Sequence, residues 1–329
     1  MSEKALKDLN MLHESERKNE NASNGSLKPQ IEQNGANIEE RPRKISVPVV
    51  ENPNNVNGAA NSVPEVGNSE VEYIESENLK DVEDLDMSLK TLLEGLDSKD
   101  WVLVCEALNN VRRLSIFHKE VMFEILGNVV SLIVKSLKNP RSAVCKTAIM
   151  TSSDTFKAYG DDIIELLDPM LVQLLLKSSQ DKRFVCEAAE RALISMTTWV
   201  PPVSLLPKLQ PYLKNRSPRI RAKAAMCFSR SVPRLGIEGI QAYGIDKLIE
   251  IAVSQLSDQL PESREAARAL LLELQTMYEK SHLLSANAVS DDPAVTSWEG
   301  FCQSKLSPLS AQAVLRVTNI VREGLVFGS

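Results

Sequence analysis

The stretch Asp181-Lys-Arg-Phe-Val-Cys-Glu-Ala-Ala-Glu-Arg-Ala-Leu193 decides the fold. Phe184, Val185, Ala188, Ala189, Ala192, Leu193 and Met196 follow one another by steps of one and three, which puts them on one face of a helix. Asp181 stands just before that stripe, where a carboxylate can accept from the free amides of a first helical turn. Four other stretches align with it: Asp100-Trp-Val-Leu-Val-Cys-Glu-Ala-Leu, Pro140-Arg-Ser-Ala-Val-Cys-Lys-Thr-Ala, Ser217-Pro-Arg-Ile-Arg-Ala-Lys-Ala-Ala and Pro261-Glu-Ser-Arg-Glu-Ala-Ala-Arg-Ala. A small residue holds register in all five, at Cys105, Cys145, Cys186, Ala222 and Ala266, with steps of 40, 41, 36 and 44 residues.

That spacing is the period of HEAT or armadillo helix pairs. An apolar amphipathic segment precedes each aligned start, at 84–96, 121–137, 163–176, 203–213 and 240–256. Alternating β-branched runs are absent, so no strand is expected. Asn139-Pro140 and Ser217-Pro218 each offer an N-cap followed by a proline at the first helical position, and Asp100 and Asp181 can cap two further helices. Pro233 should end the fourth second helix within a turn, because it lacks a backbone donor and clashes with the turn before it. The reading is all-α: an α-solenoid of about five HEAT-like helix pairs over 84–280. Each pair buries its apolar face only against its neighbours. A small residue at the register position lets adjacent second helices approach closely, which gives Cys105, Cys145 and Cys186 a structural role.

The ends of the chain are different in kind. The 329 residues carry 38 basic and 44 acidic side chains, a net charge of −6, unevenly spread. Residues 1–80 hold 9 Lys/Arg against 14 Asp/Glu, with Tyr73 their only aromatic, and are rich in Asn, Ser, Glu, Pro and Gly. With so little apolar area to bury, ordering entropy wins, and 1–80 reads as a disordered acidic and polar tail. One basic patch interrupts it, Arg41-Pro-Arg-Lys-Ile-Ser-Val-Pro, where Arg43 stands three residues before Ser46. That spacing suits a basophilic kinase; such matches are frequent by chance, and the other reading is a plain solvated linker. Residues 81–280 hold 26 charges of each sign. Residues 281–329 read as a C-terminal extension, a loop to Ser297 and then one short helix over Leu309–Val321. The helix either caps the open end of the array or presents a face to a partner.

Several function classes fall away. No window approaches the ~18 consecutive apolar residues of a membrane span. The first residues lack the apolar core of a secretory signal, so an intracellular, cytoplasmic protein is expected. Five scattered cysteines with no C-x-x-C pair indicate neither a zinc site nor a disulfide framework. Of three histidines, only His118 lies within the array, and its setting reads as a helix end. Phosphate-binding, nucleophile-elbow and zincin motifs are absent, so no catalytic residue, metal or cofactor is expected and the chain is read as not an enzyme. An array with no net charge is also a poor ligand for duplex nucleic acid, whose affinity comes from an excess of Lys and Arg.

An array of this kind works by offering a surface, and its intra-pair turns line up along one edge. Those turns are Lys99-Asp100-Trp101, Lys138-Asn139-Pro140-Arg141-Ser142, Gln180-Asp181-Lys182-Arg183, Asn215-Arg216-Ser217-Pro218-Arg219 with Arg221, and Pro261-Glu262-Ser263-Arg264. Each carries a basic residue although the positive end of the helix dipole disfavours one there. Such an edge would steer an acidic partner. Trp101 is either an exposed anchor on that edge or a ring packed under the first turn.

At these residues the sequence resembles TOG domains, particularly those of the CLASP family of microtubule regulators. Asp100-Trp101 followed by Glu106-Ala107-Leu108 and Val111-Arg112 is similar to the family's first-repeat pattern. Leu137-Lys-Asn-Pro-Arg-Ser-Ala-Val-Cys-Lys-Thr-Ala is similar to its second turn. The resemblance spans roughly 84–280. It implies a paddle of HEAT repeats whose turn edge binds the αβ-tubulin dimer, in a cytoskeleton-associated, non-enzymatic protein of microtubule organisation. The positions it implies for tubulin are Trp101, Arg141, Ser142, Val144, Lys182, Arg183, Arg219 and Arg264. Val104 stands where the family often has an Arg, and the N-terminal tail is net acidic where the family carries basic linkers. The alternative is a generic HEAT or armadillo scaffold that takes a non-cytoskeletal protein on another face.

Overall fold

The computed structural model describes residues 73–285 and 297–326. The tail before Tyr73, with its Ser46 patch, and the Asp291-Asp292-Pro293 segment lie outside the described residues. Every described element is a helix. The pairs are α1 (Leu85–Leu96) with α2 (Trp101–Phe117), α4 (Leu126–Leu137) with α5 (Ser142–Tyr159), and α6 (Leu167–Lys177) with α7 (Arg183–Trp199). Next come α8 (Pro202–Leu209), continued as a 3-10 turn over Gln210–Lys214, with α9 (Pro218–Ser231), and α11 (Ile245–Gln255) with α12 (Pro261–Ser285). Short α3 (Lys119–Phe123) and α10 (Gly236–Tyr243) lie in the connections, and α13 (Trp298–Lys305) and α14 (Pro308–Val326) close the array. The second helices α2, α5, α7, α9 and α12 each pack on the next, as a solenoid requires.

The register residues explain this close stacking. Cys105, Cys145 and Ala222 are buried, Ala266 is partly buried, and Cys186 is half-exposed. Two of the thiols also reach back across their turn. Cys145 Sγ donates to the Leu137 carbonyl at 3.5 Å, and Cys186 Sγ to the Ser178 carbonyl at 2.9 Å. Each carbonyl belongs to the end of the paired first helix, where backbone acceptors lack helical partners. The hydroxyls of Thr147, Thr151 and Thr155 return to carbonyls four residues back, so α5 can bury them against α2 and α7.

Helix starts follow local chemistry. Asp84 Oδ1 accepts from Met87 N, and Asp100 Oδ1 from Val102 N, both at 2.9 Å. Pro218 opens α9 as expected. Asn139-Pro140 and Asp181 do not cap their helices. Asn139 Oδ1 accepts from Arg141 N at 2.9 Å, an Asx turn that delays α5 to Ser142, while Lys182 is the N-cap of α7 and Asp181 turns to Arg219. The fourth second helix ends at Ser231, with Pro233 in a 3-10 turn over Val232–Leu235. Two first helices expected as single runs are split. Gly244, at φ +98°, separates α10 from α11, and Ile125, at φ −107° and ψ 6°, separates α3 from α4.

Both ends of the array depart from the composition reading. Residues 73–80, counted with the tail, pack as a strap: Leu79 is buried and Ser76 Oγ donates to Asp154 Oδ1 at 2.7 Å. Behind it, Arg112, 1% exposed, pairs with Asp154 at 2.6 Å and joins α2 to α5. The C-terminal extension holds two helices where one was expected. Trp298 is buried in a ring cluster with Tyr278 and Phe301, and its indole donates to Thr318 Oγ1 at 3.3 Å. A lone tryptophan after a polar stretch shows no period, so α13 is invisible until Tyr278 meets it. Helix α14 packs on α11 and α12, the capping arrangement.

Candidate partner-binding edge

Each second helix begins at the same edge, where its first residues project beyond the preceding turn. At the first turn the Asp100 cap fixes the start of α2 and places Trp101 in its first position. The ring is half-buried against the core, and its other side carries the Arg141 guanidinium, 4.5 Å from the ring centroid. A cation over an indole face is worth about 0.5–1 kcal/mol at an exposed site. Trp101 thus packs under its turn and supports a cation from the next one.

The chain of contacts continues along the edge. Arg141 is exposed and Ser142 half-buried, and Ser142 Oγ accepts from Lys182 Nζ at 3.1 Å. Beside Lys182, Arg183 projects with a side chain 90% exposed, paired to Glu187 one turn on at 2.7 Å. That guanidinium holds the Glu187 carboxyl below its ordinary range, first through the hydrogen bond and then through charge. Trp101, Arg141, Ser142, Lys182 and Arg183 therefore form one continuous strip across three turns.

The remaining expected residues do other work. Val144 is 0% exposed and lies in the core, so it supports the second turn and touches no partner. Arg219 gives Nη1 to Asp181 Oδ1 at 2.6 Å and to the Ser179 carbonyl at 3.2 Å, so it sits on the edge as half of an ion pair. Arg264 is turned inward: Nη1 donates to the carbonyls of Asp258 and Gln259 at 2.7 and 2.9 Å. Arg221 does the same one repeat earlier, with the carbonyls of Asn215 and Arg216 at 2.9 and 3.2 Å and with Asp258 Oδ2 at 2.5 Å. An arginine in the first turn of α9 and of α12 thus clamps the loop that leads into its own helix. On turns one to three, Lys99, Lys138, Arg141 and Lys182 are exposed, while Arg183 is paired to Glu187.

Two apolar residues on this edge were not expected. Val102 is exposed beside Trp101, and Phe184, assigned to the buried stripe, is 44% exposed beside Arg183. Phe184 is the first member of its stripe, before α7 has come fully against its neighbours. Between turns three and five lies a groove of about 460 Å³, lined by Asp181, Arg183, Glu187, Arg219, Lys223 and Glu262 among others. No group of three His, Cys, Asp or Glu among the described residues could hold a metal ion, and no helix of the described residues is long and apolar enough to cross a membrane.

Residues 115–288 match the family model described as CLASP N terminal. This chain belongs to the CLASP N-terminal family. The matched span takes in the end of α2 and all four later helix pairs, so the family covers the edge from Arg141 onward. The chain is also similar to TOG array regulator of axonemal microtubules protein 1 from Mus musculus, at 29% identity over 138 residues, 42% of this chain and 8% of the relative. The protein of that name from Homo sapiens is 31% identical over 117 residues, 36% of this chain and 7% of the relative. The matches span less than a tenth of those curated relatives. A solved structure from work on microtubule plus-end tracking by XMAP215, CLIP-170 and EB1 aligns with a TM-score of 0.53 at 17% identity, covering 73% of this chain and 94% of that one. That likeness gives the CLASP N-terminal chain its HEAT-like helical fold.

Proposed function

We propose that this chain is a non-enzymatic, cytoskeleton-associated protein that binds tubulin through its intra-pair turn edge. The observation that carries the reading is the strip Trp101–Arg141–Ser142–Lys182–Arg183 in a member of the CLASP N-terminal family. An aromatic anchor with a polar, cationic rim is where interface energy concentrates. Tubulin presents the acidic surface that such a rim complements. The relatives named as regulators of axonemal microtubules agree with this reading. Val102 and Phe184 add exposed apolar area at the two ends of the strip. The binding unit is the five-pair array closed by α13 and α14.

Size-exclusion chromatography with soluble tubulin at low salt tests it. Wild type is expected to co-elute, and Trp101→Glu and Arg141→Glu to lose co-elution while keeping the helical circular dichroism of the wild type. Absence of co-elution for the wild type, or unchanged co-elution for both variants, refutes the reading.

A scaffold for a different protein has one observation of its own. Ile116, Phe117, Val121, Phe123, Trp199 and Val203 are all exposed where second helices end, on the edge away from the turns. A partner taken there would be insensitive to Arg141→Glu and sensitive to Phe123→Ser.

A further inference from the structure

We propose that the edge where the second helices end is a self-complementary surface that pairs two copies of this chain about a two-fold axis and leaves both turn edges free. The contact stands apart from the tubulin reading; its consequence, a bivalent tubulin binder, rests on that reading.

The edge is apolar along its length. Of the eleven large hydrophobic residues exposed among the described residues, six stand here: Ile116 and Phe117 at the end of α2, Val121 and Phe123 on α3, Trp199 at the end of α7 and Val203 at the start of α8. Contacts between the helix ends join them into one surface. The Tyr159 hydroxyl, at the end of α5, donates to the Lys119 carbonyl at 3.1 Å, and its ring stacks on Phe123 with centroids 6.5 Å apart. Gly160 follows, and a β-carbon there would stand 2.9 Å from the Trp199 carbonyl oxygen, so the end of α5 abuts the end of α7. Exposed apolar surface that runs unbroken across neighbouring repeats marks an interaction site.

Its charges are segregated. At the α3 and α5 ends Glu120, Glu124, Asp161 and Asp162 are exposed, and Lys119 among them is paired with Asp162 at 3.7 Å. At the α7 and α9 ends stand Lys157, Arg230 and Arg234, also exposed. Lys157 Nζ lies 5.9 Å from the Trp199 ring centroid. Arg230 Nε donates to Thr197 Oγ1 at 3.4 Å and Arg234 Nη1 to the Val200 carbonyl at 2.8 Å, which holds both guanidinium groups beside Trp199.

This order selects the occupant. An acidic partner, whether a protein or an anionic lipid surface, is repelled at the α3 end, and a basic partner at the α7 end. An occupant with the reversed order satisfies both, and a second copy turned through 180° has it by construction. With the axis at the Gly160–Trp199 contact, Phe123 of one copy meets Trp199 of the other, and Glu120 and Glu124 meet Arg230 and Arg234. Four helix ends spaced by about 9 Å, two layers deep, give roughly 600 Å² a side, the low end for a stable interface. A dissociation constant on the order of 1–10 μM is expected. The second helices run from one edge to the other, so the two turn edges face outward on opposite sides of the dimer. Each keeps its own affinity for soluble tubulin, while two linked tubulin sites gain avidity.

Sedimentation equilibrium of the full-length chain at low salt, over concentrations from about a tenth to about a hundred times that constant, tests the contact. Wild type is expected to dimerise. Glu120→Lys with Glu124→Lys makes both ends basic, and Lys157→Glu with Arg230→Glu makes both ends acidic. Each variant alone should associate at least about tenfold more weakly. An equimolar mixture of the two should dimerise as wild type does, a rescue that a folding defect cannot give. Phe123→Ser should be monomeric with the helical circular dichroism of the wild type. A monomeric wild type, a charge variant that dimerises as tightly as wild type, a mixture that stays monomeric, or a dimer dispersed by Arg141→Glu overturns the proposal. A dimer that behaves as expected and takes no tubulin upholds the contact and refutes the tubulin reading.

Discussion

Asp154→Ala should be the most damaging single change within the first two repeats. Asp154 Oδ2 accepts from Arg112 Nε at 2.6 Å and Oδ1 from Ser76 Oγ at 2.7 Å, with the arginine 1% exposed. Removing the carboxylate leaves the guanidinium buried with two neutral partners, Asn109 Oδ1 at 3.0 Å and Ser76 Oγ at 3.3 Å. Breaking a buried ion pair from one side costs about 3–5 kcal/mol, because the remaining charge keeps its desolvation penalty. For an array of this size each kcal/mol moves the melting temperature by about 2–4 °C, so the drop should be about 6–20 °C. Replacing both partners, Arg112→Met with Asp154→Leu, should return most of that loss, since two well-packed apolar residues carry no desolvation penalty. Urea unfolding followed by circular dichroism measures all three proteins. A cost below about 1 kcal/mol for Asp154→Ala, or a double variant as unstable as the single one, would refute the reasoning.

Other outcomes follow from the same contacts. Arg264→Ala should lower stability by about 1–3 kcal/mol, because the turn carbonyls it clamps lose a charged donor, yet leave tubulin affinity unchanged, as competition binding would show. Gly160→Ala should destabilise by about 1–3 kcal/mol in urea melts, since a β-carbon there would stand 2.9 Å from the Trp199 carbonyl oxygen. Burial pushes the Cys227 and Cys302 thiols up to about 12, and the Tyr159 hydroxyl to about 12 as well. The native state then holds protons that the unfolded chain releases from about pH 9, so stability is full below that pH and falls between about 9 and 12. Urea midpoints at stepped pH check this. Cys186, the one half-exposed thiol among the five, should be alkylated first in the native protein, as mass spectrometry of partially labelled protein would record.

The pairs of the array were legible because small residues recur where close helix contact demands them, and Cys145 and Ala222 show that demand as near-complete burial. The strap was not, because Tyr73, Ile74 and Leu79 are too few to outweigh the polar residues around them. Its burial depends on Arg112 and Asp154, which lie far along the chain. On the edge, sequence marks a positive charge but not where it points. Arg183 and Arg264 read alike as bases at the start of a second helix, yet one projects to solvent and the other bonds its own turn. Val144 was carried in by the similarity of the second turn, where the same motif contains both exposed and core positions. Trp199 and Phe123 stand at helix ends, where an apolar residue looks the same whether buried or exposed.

The central claim is that tubulin meets the turn edge and not the edge opposite. Two charge-matched variants separate these: Arg141→Glu with Lys182→Glu on the turns, and Lys119→Glu with Lys157→Glu where the second helices end. Each pair changes net charge equally, so general electrostatics cancel between them. Sedimentation velocity with soluble tubulin should show the first variant at least about tenfold weaker than wild type, about 1.4 kcal/mol, and the second within about twofold. Equal losses in both, or a larger loss in the second, would contradict the account.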